Sequence, residues 1–530
     1  GPGGTNTLTG VIGQWFDSVP VLYISGQVKY ETTTASCPSV RLRQLGDQEL
    51  NMVNIVRPIT KYAVMVQDPQ YIRYHLEKAL YLATHGRPGP VWIDIPLNVQ
   101  GAQIEEGKLV PYDPKEDEIV FDENELRQKI SRLIEILKQS ERPVFVAGHG
   151  IRIAEGQDVF FRVIERMKIP ILSTFNGFDL VESNHPLYIG MIGTVGNRAG
   201  NFALQNADLL LSVGSRNNIR QVSYNWADFA RNAAKIIVDI DSAELQKPTV
   251  KPDLAIVSDA RLFLEQLESH LQKEKLPDWT SWLAWCLERK RRYPTVLPEH
   301  ANRKGAVDLY YFCHVLTSLL KKDAVVVAGN GSSCIGLFQS GIVKRGQRIF
   351  WNSGCAGMGY DLPAAIGACL ARGKQEVICL AGDGSLQFNI QELQTVIHHR
   401  LPLKIFYLNN RGYTSIKQTQ DNMFGGTRVG ADPKSGVSFP DILKVAKAYG
   451  FKTVVLESHK NITQKIRKIL QTRGSLLCDV RLPSEYLFAP KVSSQRKPDG
   501  QIISKPLEDM FPFLEPSELA SNILLKKKSI

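Results

Sequence analysis

Two apolar runs, EVICLAGDG and KIFYLNN, end on residues that can do chemistry: Asp383 within Gly-Asp-Gly and Asn410 within Asn-Asn, 27 residues further on. That interval holds one helix and one strand of a parallel β-α-β unit. Both side chains are therefore expected at the carboxyl ends of neighbouring strands, where open α/β sheets bind ligands. A carboxylate and an amide oxygen are hard donors suited to Mg²⁺, and two protein oxygens leave coordination positions for phosphate oxygens. Gly384 and Ser385 precede NIQELQTVIHH, which reads as a helix whose amino terminus would face an anion. Together these features read as a clamp for a metal ion and a diphosphate. A lone Gly-Asp-Gly would read instead as a helix cap beside a turn.

The elements that must position this pair follow one pattern. VPVLYISG, GPVWIDIP, RPVFVAGHG, ADLLLSVGSR, AKIIVDIDS and DAVVVAGNG are short β-branched runs, several closing on glycine, as buried parallel strands do. YIRYHLEKALYLATHG and ELRQKISRLIEILKQS carry apolar residues at helical spacing between them. Alternation of this kind predicts α/β architecture: three doubly wound parallel-sheet domains. The spans are 1–103, 124–275 and 305–488, with a polar, Pro-rich tail over 489–530. The acidic stretch from Gln100 to Glu123 and the charged KRRYPTVLPEH region, within Pro277 to Lys304, read as linkers. The chain opens on GPGGTNTLTG, a glycine-rich turn running into a helix, which predicts that an earlier part of the first domain precedes it.

The chain has 530 residues, too many for one core. Its formal net charge is +11, with Arg289 to Arg292 and Lys526 to Lys528 contributing. No nucleic-acid-binding signature accompanies that charge, so it reads as solvated surface and no nucleic-acid partner is expected. No apolar run reaches about 18 residues, so no membrane span is expected. The eight cysteines form no C-x-x-C pair. Cys313, Cys369 and Cys379 sit in apolar runs, which fits buried thiols in a cytoplasmic protein. His398 and His399 close a helix and read as surface residues.

Gly-Asp-Gly-Ser followed by Asn-Asn resembles the signature of the thiamine-diphosphate enzymes. The wider sequence resembles their acetolactate (acetohydroxyacid) synthase branch over almost its whole length. GPGGTNTLTGVIGQWFDSVPVLYISGQV and GRPGPVWIDIPLNVQ resemble the pyrimidine-binding domain. HPLYIGMIGTVGN and NADLLLSVGSR resemble the central domain, and NSGCAGMGYDLPAAIGA resembles the segment under the cofactor's central ring. The resemblance implies roles by position. Asp383, Asn410 and the carbonyl of Gly412 would hold Mg²⁺. Asn330, Gly331, Ser332, Gly382, Gly384, Ser385 and Tyr413 would hold the diphosphate, and Gly357 and Met358 would meet the rings, Met358 forcing the bent cofactor. Gln48, Lys61 and Arg220 match substrate-side residues, Arg220 facing a keto acid's carboxylate through bidentate pairing. The family's catalytic glutamate would lie upstream of Gly1; neither Glu31 nor Glu49 matches its motif.

The implied activity is decarboxylation of a 2-keto acid such as pyruvate and transfer of the acyl unit to an acceptor, in a homodimer or homotetramer. The alternatives are a 2-keto acid decarboxylase or lyase, and a non-catalytic paralogue. Two departures bear on this. Ser415 and Thr419 stand where the family has Met and Trp, which opens and polarises the acceptor pocket. Asn217-Asn218-Ile219 replaces Phe-Asp-Asp in a segment that faces flavin adenine dinucleotide (FAD) in the synthases, and leaves FAD open.

Overall fold

The computed structural model describes residues 1–496 and 499–524; Lys526 to Lys528 lie outside the described residues. The chain divides into two compact units. One comprises residues 1–121 with 352–357, the other residues 122–351 and 358–530.

In the first unit, β1 (Val21–Gln27), β2 (Tyr62–Met65) and β3 (Pro90–Pro96) form a three-stranded parallel sheet in the order β1-β3-β2. The helix Ile72–Thr84 packs on it, with Ala79 and Ala83 buried. The stretch read as a linker is tied down here. Tyr112 is buried edge-on against Tyr74, and Asp117 pairs with Lys78 at 2.8 Å. Alternating charge hid that stripe of aromatic contacts in the sequence.

The second unit holds two six-stranded parallel sheets. The first is built from β4 (Pro143–Ala147), β5 (Ile171–Ser173), β6 (Tyr188–Met191), β7 (Leu209–Val213), β8 (Ala234–Asp239) and β9 (Leu254–Val257), ordered β6-β5-β4-β7-β8-β9. The order reverses between β4 and β7, both buried along their whole length, as strands covered on two faces must be. Its leading helix, Glu123–Gln139, starts because the Asp122 carboxylate accepts from the N–H groups of Asn124 and Glu125, a cap that contributes about 1 kcal/mol. Leu126, Ile130, Leu133, Ile134 and Leu137 form its buried stripe, each worth about 1.5–3 kcal/mol in surface removed from water.

The second sheet comprises β10 (Val325–Ala328), β11 (Arg348–Phe350), β12 (Val377–Gly382), β13 (Leu403–Asn409), β14 (Lys452–Leu456) and β15 (Leu476–Arg481), ordered β11-β10-β12-β13-β15-β14. Its order reverses between β10 and β12. Three parallel sheets in α/β units agree with the fold class read from sequence.

The second expected linker is in part a helix, Thr280–Arg292. Trp279, Trp282 and Cys286 are buried at helical spacing, and the indoles of Trp279 and Trp282 donate to the carbonyls of Ser140 and Pro143. The Arg289–Arg292 cluster is not simply solvated. Lys290 donates to the Ser183 and Tyr188 carbonyls, and Arg289 to Asn522.

After residue 488 come β16 (Lys491–Val492), β17 (Ser494–Arg496), β18 (Ile502–Ser504) and β19 (Met510–Phe511), paired β16-β19 and β17-β18. This strap buries Val492, Leu507 and Met510. Asn201 and Gln205 of the helix Arg198–Asn206 bond to Leu507 and Glu508 on it. Over its described residues the tail is a packed element.

Among the described residues, no helix is long and apolar enough to cross a membrane.

Candidate active site

The loops after β10, β12 and β13 leave three consecutive strands at their carboxyl ends, astride the reversal of strand order. They carry Asn330, Gly331 and Ser332; then Gly382, Asp383, Gly384 and Ser385; then Asn410, Gly412 and Tyr413. Such a reversal opens a crevice for ligands.

Asp383 is 2 % exposed. Its Oδ2 accepts from the backbone N–H groups of Asn410 (3.2 Å) and Gly412 (3.1 Å), and its Oδ1 from that of Gly384 (2.8 Å). The two strand ends that the sequence presents as separate turns are thus joined through one carboxylate. Burial pushes its pKa up to about 6, against the opposing pull of the N–H groups of Gly412, Gly384, Asn410 and Arg411. Among the described residues no Lys, Arg or His forms an ion pair with it. Asn410 Nδ2 donates to the Gly412 carbonyl (2.6 Å) and to Thr414 Oγ1 (2.7 Å), which sets the amide group and the carbonyl side by side. No three His, Cys, Asp or Glu cluster for a metal among the described residues. The donor set here is one carboxylate, one amide and one carbonyl, which suits Mg²⁺ and not a softer ion.

The helix after Gly382 departs from expectation. It begins at Asp383 itself, runs only to Gln387, and is followed by a tight turn at Ile390–Glu392 before Leu393–His398. Asn389 is spent elsewhere: its Nδ2 donates to the Gly359 carbonyl (2.8 Å). Gly359, at φ +84, has no room for a Cβ, which would lie 2.7 Å from that nitrogen. The Gly359 N–H in turn donates to Ser385 Oγ (2.9 Å). This tie carries Met358, 41 % exposed, next to the Gly384-Ser385 turn. A Cβ on Gly384 would lie 2.0 Å from the Tyr413 ring, so any side chain there would have to displace that ring. His398 and His399 are exposed.

Sequence reasoning missed two side chains here. Asp361, in MGYDLPAAIGA, is fully buried with Oδ2 lacking a hydrogen-bond partner. Burial raises its pKa to about 6, opposed by bonds from Ser385, Leu362 and Gly382. It holds the base of the β12 loop. Tyr486 bonds to Ser332 Oγ and Thr414, pinning the β10 loop to the β13 loop. A lone Asp at the start of an Ala-rich helix gives no signal, and neither does a Tyr in a loop.

Arg220 lies on the short helix Ile219–Val222 that follows β7, its guanidinium 4.8 Å from the centre of the Phe175 ring. Ser415 is half-buried on the helix Thr414–Met423, and Thr419 is exposed there. Near Arg220, the polar groups of Ser212, Ser215, Asn217 and Gln221 are buried and bonded to one another.

The first unit holds Gln48, exposed at φ +58, and Lys61. Lys61 Nζ donates to the His85 carbonyl (2.6 Å) at the amino edge of β2, and burial pulls its pKa down to about 8. Gly357 belongs to this unit too, its Cβ position 3.1 Å from Thr9. Glu49 is committed to its own loop, accepting from Thr34 and Leu45.

Comparison with known proteins agrees with this geometry. Residues 130–267 match the thiamine pyrophosphate enzyme central domain, and residues 329–480 match the C-terminal TPP-binding domain. The acetolactate synthase large subunit of Cyanidium caldarium is 32 % identical over 493 residues, covering 90 % of this chain and 80 % of that protein. That of Lactococcus lactis is 32 % identical over 492 residues, covering 92 % and 81 %. The isozyme 3 large subunit of Escherichia coli is 29 % identical over 508 residues, covering 93 % and 84 %. With a diphosphate-side crevice on three adjacent strands and relatives matched over most of both lengths, the chain belongs to the thiamine-diphosphate-dependent enzymes, in the acetolactate synthase-like family.

Proposed function

We propose that this enzyme is a carboligase: it decarboxylates a 2-keto acid such as pyruvate and transfers the acyl unit to an acceptor carbonyl. The observation that carries this reading is the convergence of Asp383, Asn410 and the Gly412 carbonyl across β12 and β13. We assign 1–103 to pyrimidine binding, 124–275 to the central domain, 305–488 to diphosphate binding, and 489–530 to the C-terminal tail.

Mg²⁺ would be held by Asp383, the Gly412 carbonyl and Asn410, whose amide, turned by half, offers oxygen in place of nitrogen. Asn330, Gly331, Ser332, Gly382, Gly384, Ser385 and Tyr413 would hold the diphosphate, with Gly357 and Met358 against the rings. Bound there, thiamine diphosphate supplies the electron sink for decarboxylation. The chain's own residues do the rest. The buried carboxylate fixes the ion, Met358 shapes the bound conformation, and Arg220 pairs with the substrate carboxylate. Gln48 and Lys61 are assigned to the substrate side. No step is assigned to FAD, because the buried polar side chains at Asn217 and Gln221 are satisfied by each other.

We infer a homodimer or homotetramer. Apolar side chains stay exposed beside the diphosphate loops: Phe388, Ile416, Phe424 and Val429 are 46–71 % accessible, which a second copy would cover. A fully active monomer in sedimentation would refute this. All eight cysteines are free, six of them buried, which supports a reducing, cytoplasmic setting.

Incubation of the enzyme with pyruvate, thiamine diphosphate and Mg²⁺ tests the reaction. Acetolactate is the expected product; acetaldehyde without any ligated product would favour a simple decarboxylase.

A further inference from the structure

The strap brings a second cation to Arg220. At its start, the Ala489 N–H donates to the Tyr310 hydroxyl (3.0 Å), and the Pro490 carbonyl accepts from Gln339 Nε2 (2.6 Å). Two residues later the Val492 N–H donates to the Thr194 carbonyl (2.8 Å). Thr194 itself donates to the Arg220 carbonyl, through its N–H (2.9 Å) and through Oγ1 (3.0 Å). Lys491 is held between these anchors.

Both cations are half-buried. Among the described residues, neither the Lys491 ammonium nor the Arg220 guanidinium has a carboxylate or hydrogen-bond partner. Burial, and then the charge of Arg220, lower the pKa of Lys491. Two other half-buried cations of this unit do have acids: Arg231 meets Glu508 at 2.7 Å, and Arg348 meets Asp179 at 2.7 Å. Two like charges kept together without an acid are a cost that a multiply charged anion would remove. A monocarboxylate matches one of them. A phosphate ester carries close to two negative charges and three acceptor oxygens; a guanidinium can take two of those and an ammonium another.

The location fits an acceptor rather than the cofactor's diphosphate. The charge of Arg220 reaches Cys334, on the helix Ser332–Ser340. Gly331, which precedes that helix, lies with its Cβ position 3.7 Å from Ser415 Oγ. Just past Lys491, β17 packs against the helix Thr414–Met423, which carries Ser415 and Thr419. The cation pair thus lies near the segments that carry those two polar residues.

We propose that Lys491 and Arg220 form an anion site for the acceptor substrate, a carbonyl compound bearing a phosphate ester or diphosphate, which Arg220 meets once the donor's carboxylate has left as carbon dioxide. This rests on the carboligase reading above.

The test is calorimetric titration of inorganic phosphate into the holoenzyme, saturated with thiamine diphosphate and Mg²⁺, for wild type, Lys491→Met and Lys491→Arg. Lys491→Met should weaken a phosphate site by about tenfold or more, and Lys491→Arg should restore it. Phosphate binding that is absent in wild type, or equal in wild type and Lys491→Met, overturns the site. A flavin released on denaturing wild type but missing from Lys491→Met overturns it as well, since the diphosphate would then be the flavin's. Failure of wild type to decarboxylate pyruvate while phosphate still binds through Lys491 overturns the carboligase reading and the acceptor role with it, leaving an anion site of another purpose.

Discussion

Asp383→Ala should lower thiamine-diphosphate affinity in Mg²⁺ by at least about 100-fold, since even residues that merely orient a metal's ligands cost 10–100-fold when lost. The cause is specific. Asp383 is the only carboxylate in the donor set, and its two oxygens also gather the N–H groups of Gly384, Asn410 and Gly412. The variant therefore loses both the charge and the tie between the β12 and β13 loops. The wild-type response to added Mg²⁺ should disappear, so that wild type in a chelator and the variant in Mg²⁺ bind alike. Fluorescence titration of the cofactor with and without Mg²⁺ measures this, and an unchanged affinity would refute the metal assignment.

Misfolding would not imitate the result. The folded-state pKa of Asp383 is raised to about 6, above its unfolded value of about 3.9. Its contribution to stability is complete below the unfolded pKa and lost as pH rises through the folded one. In the chelated protein at pH 7 or above the ionised side chain is a burden, so Asp383→Asn, which keeps an oxygen for the N–H groups that Asp383→Ala would strand but not the charge, should melt no lower than wild type while losing the same Mg²⁺ response.

The clamp was legible because its residues end strongly apolar strands, where strand type and ligand position follow from one pattern. The long strands β4, β7, β12 and β13 were equally plain. Three-residue strands such as β5 and β11 carry too few alternations to show a period. The helix Thr280–Arg292 was hidden because Trp282 and Cys286 are its only buried side chains among many charges. The break after Gln387 depends on Asn389 finding the carbonyl of Gly359, a partner thirty residues earlier in the chain. Lys491 was invisible for the same reason, since its meaning comes from Arg220, brought near only by the packed strap. Local pattern reports what a residue's neighbours dictate; these positions are set by contacts between distant segments.

Gly148→Ala should destabilise the central sheet by about 3 kcal/mol or more, at the upper end of overpacking costs. The β4 and β7 loops meet at the reversal of strand order with glycine on both sides. A Cβ on Gly148 would lie 2.1 Å from the Gly214 carbonyl oxygen and 2.5 Å from the Ser215 nitrogen. These are backbone atoms, which cannot swing aside as a side chain would. The loops are also hydrogen-bonded, Gly148 N–H to the Val213 carbonyl (2.9 Å) and Gly150 N–H to the Gly214 carbonyl (2.8 Å). Moving them apart breaks the second bond before the clash is relieved. For a domain of this size the loss corresponds to a fall in Tm of about 6–12 °C. Thermal melting followed by circular dichroism measures the loss. The same substitution at Gly367 supplies the contrast. That glycine is exposed within the helix Asp361–Ala371 with nothing within 4 Å of a Cβ, so Gly367→Ala should stabilise by up to about 1 kcal/mol through helix propensity. One methyl group is expected to act with opposite sign at the two positions. A Gly148→Ala protein melting within a degree of wild type would mean that the loops do not meet as described.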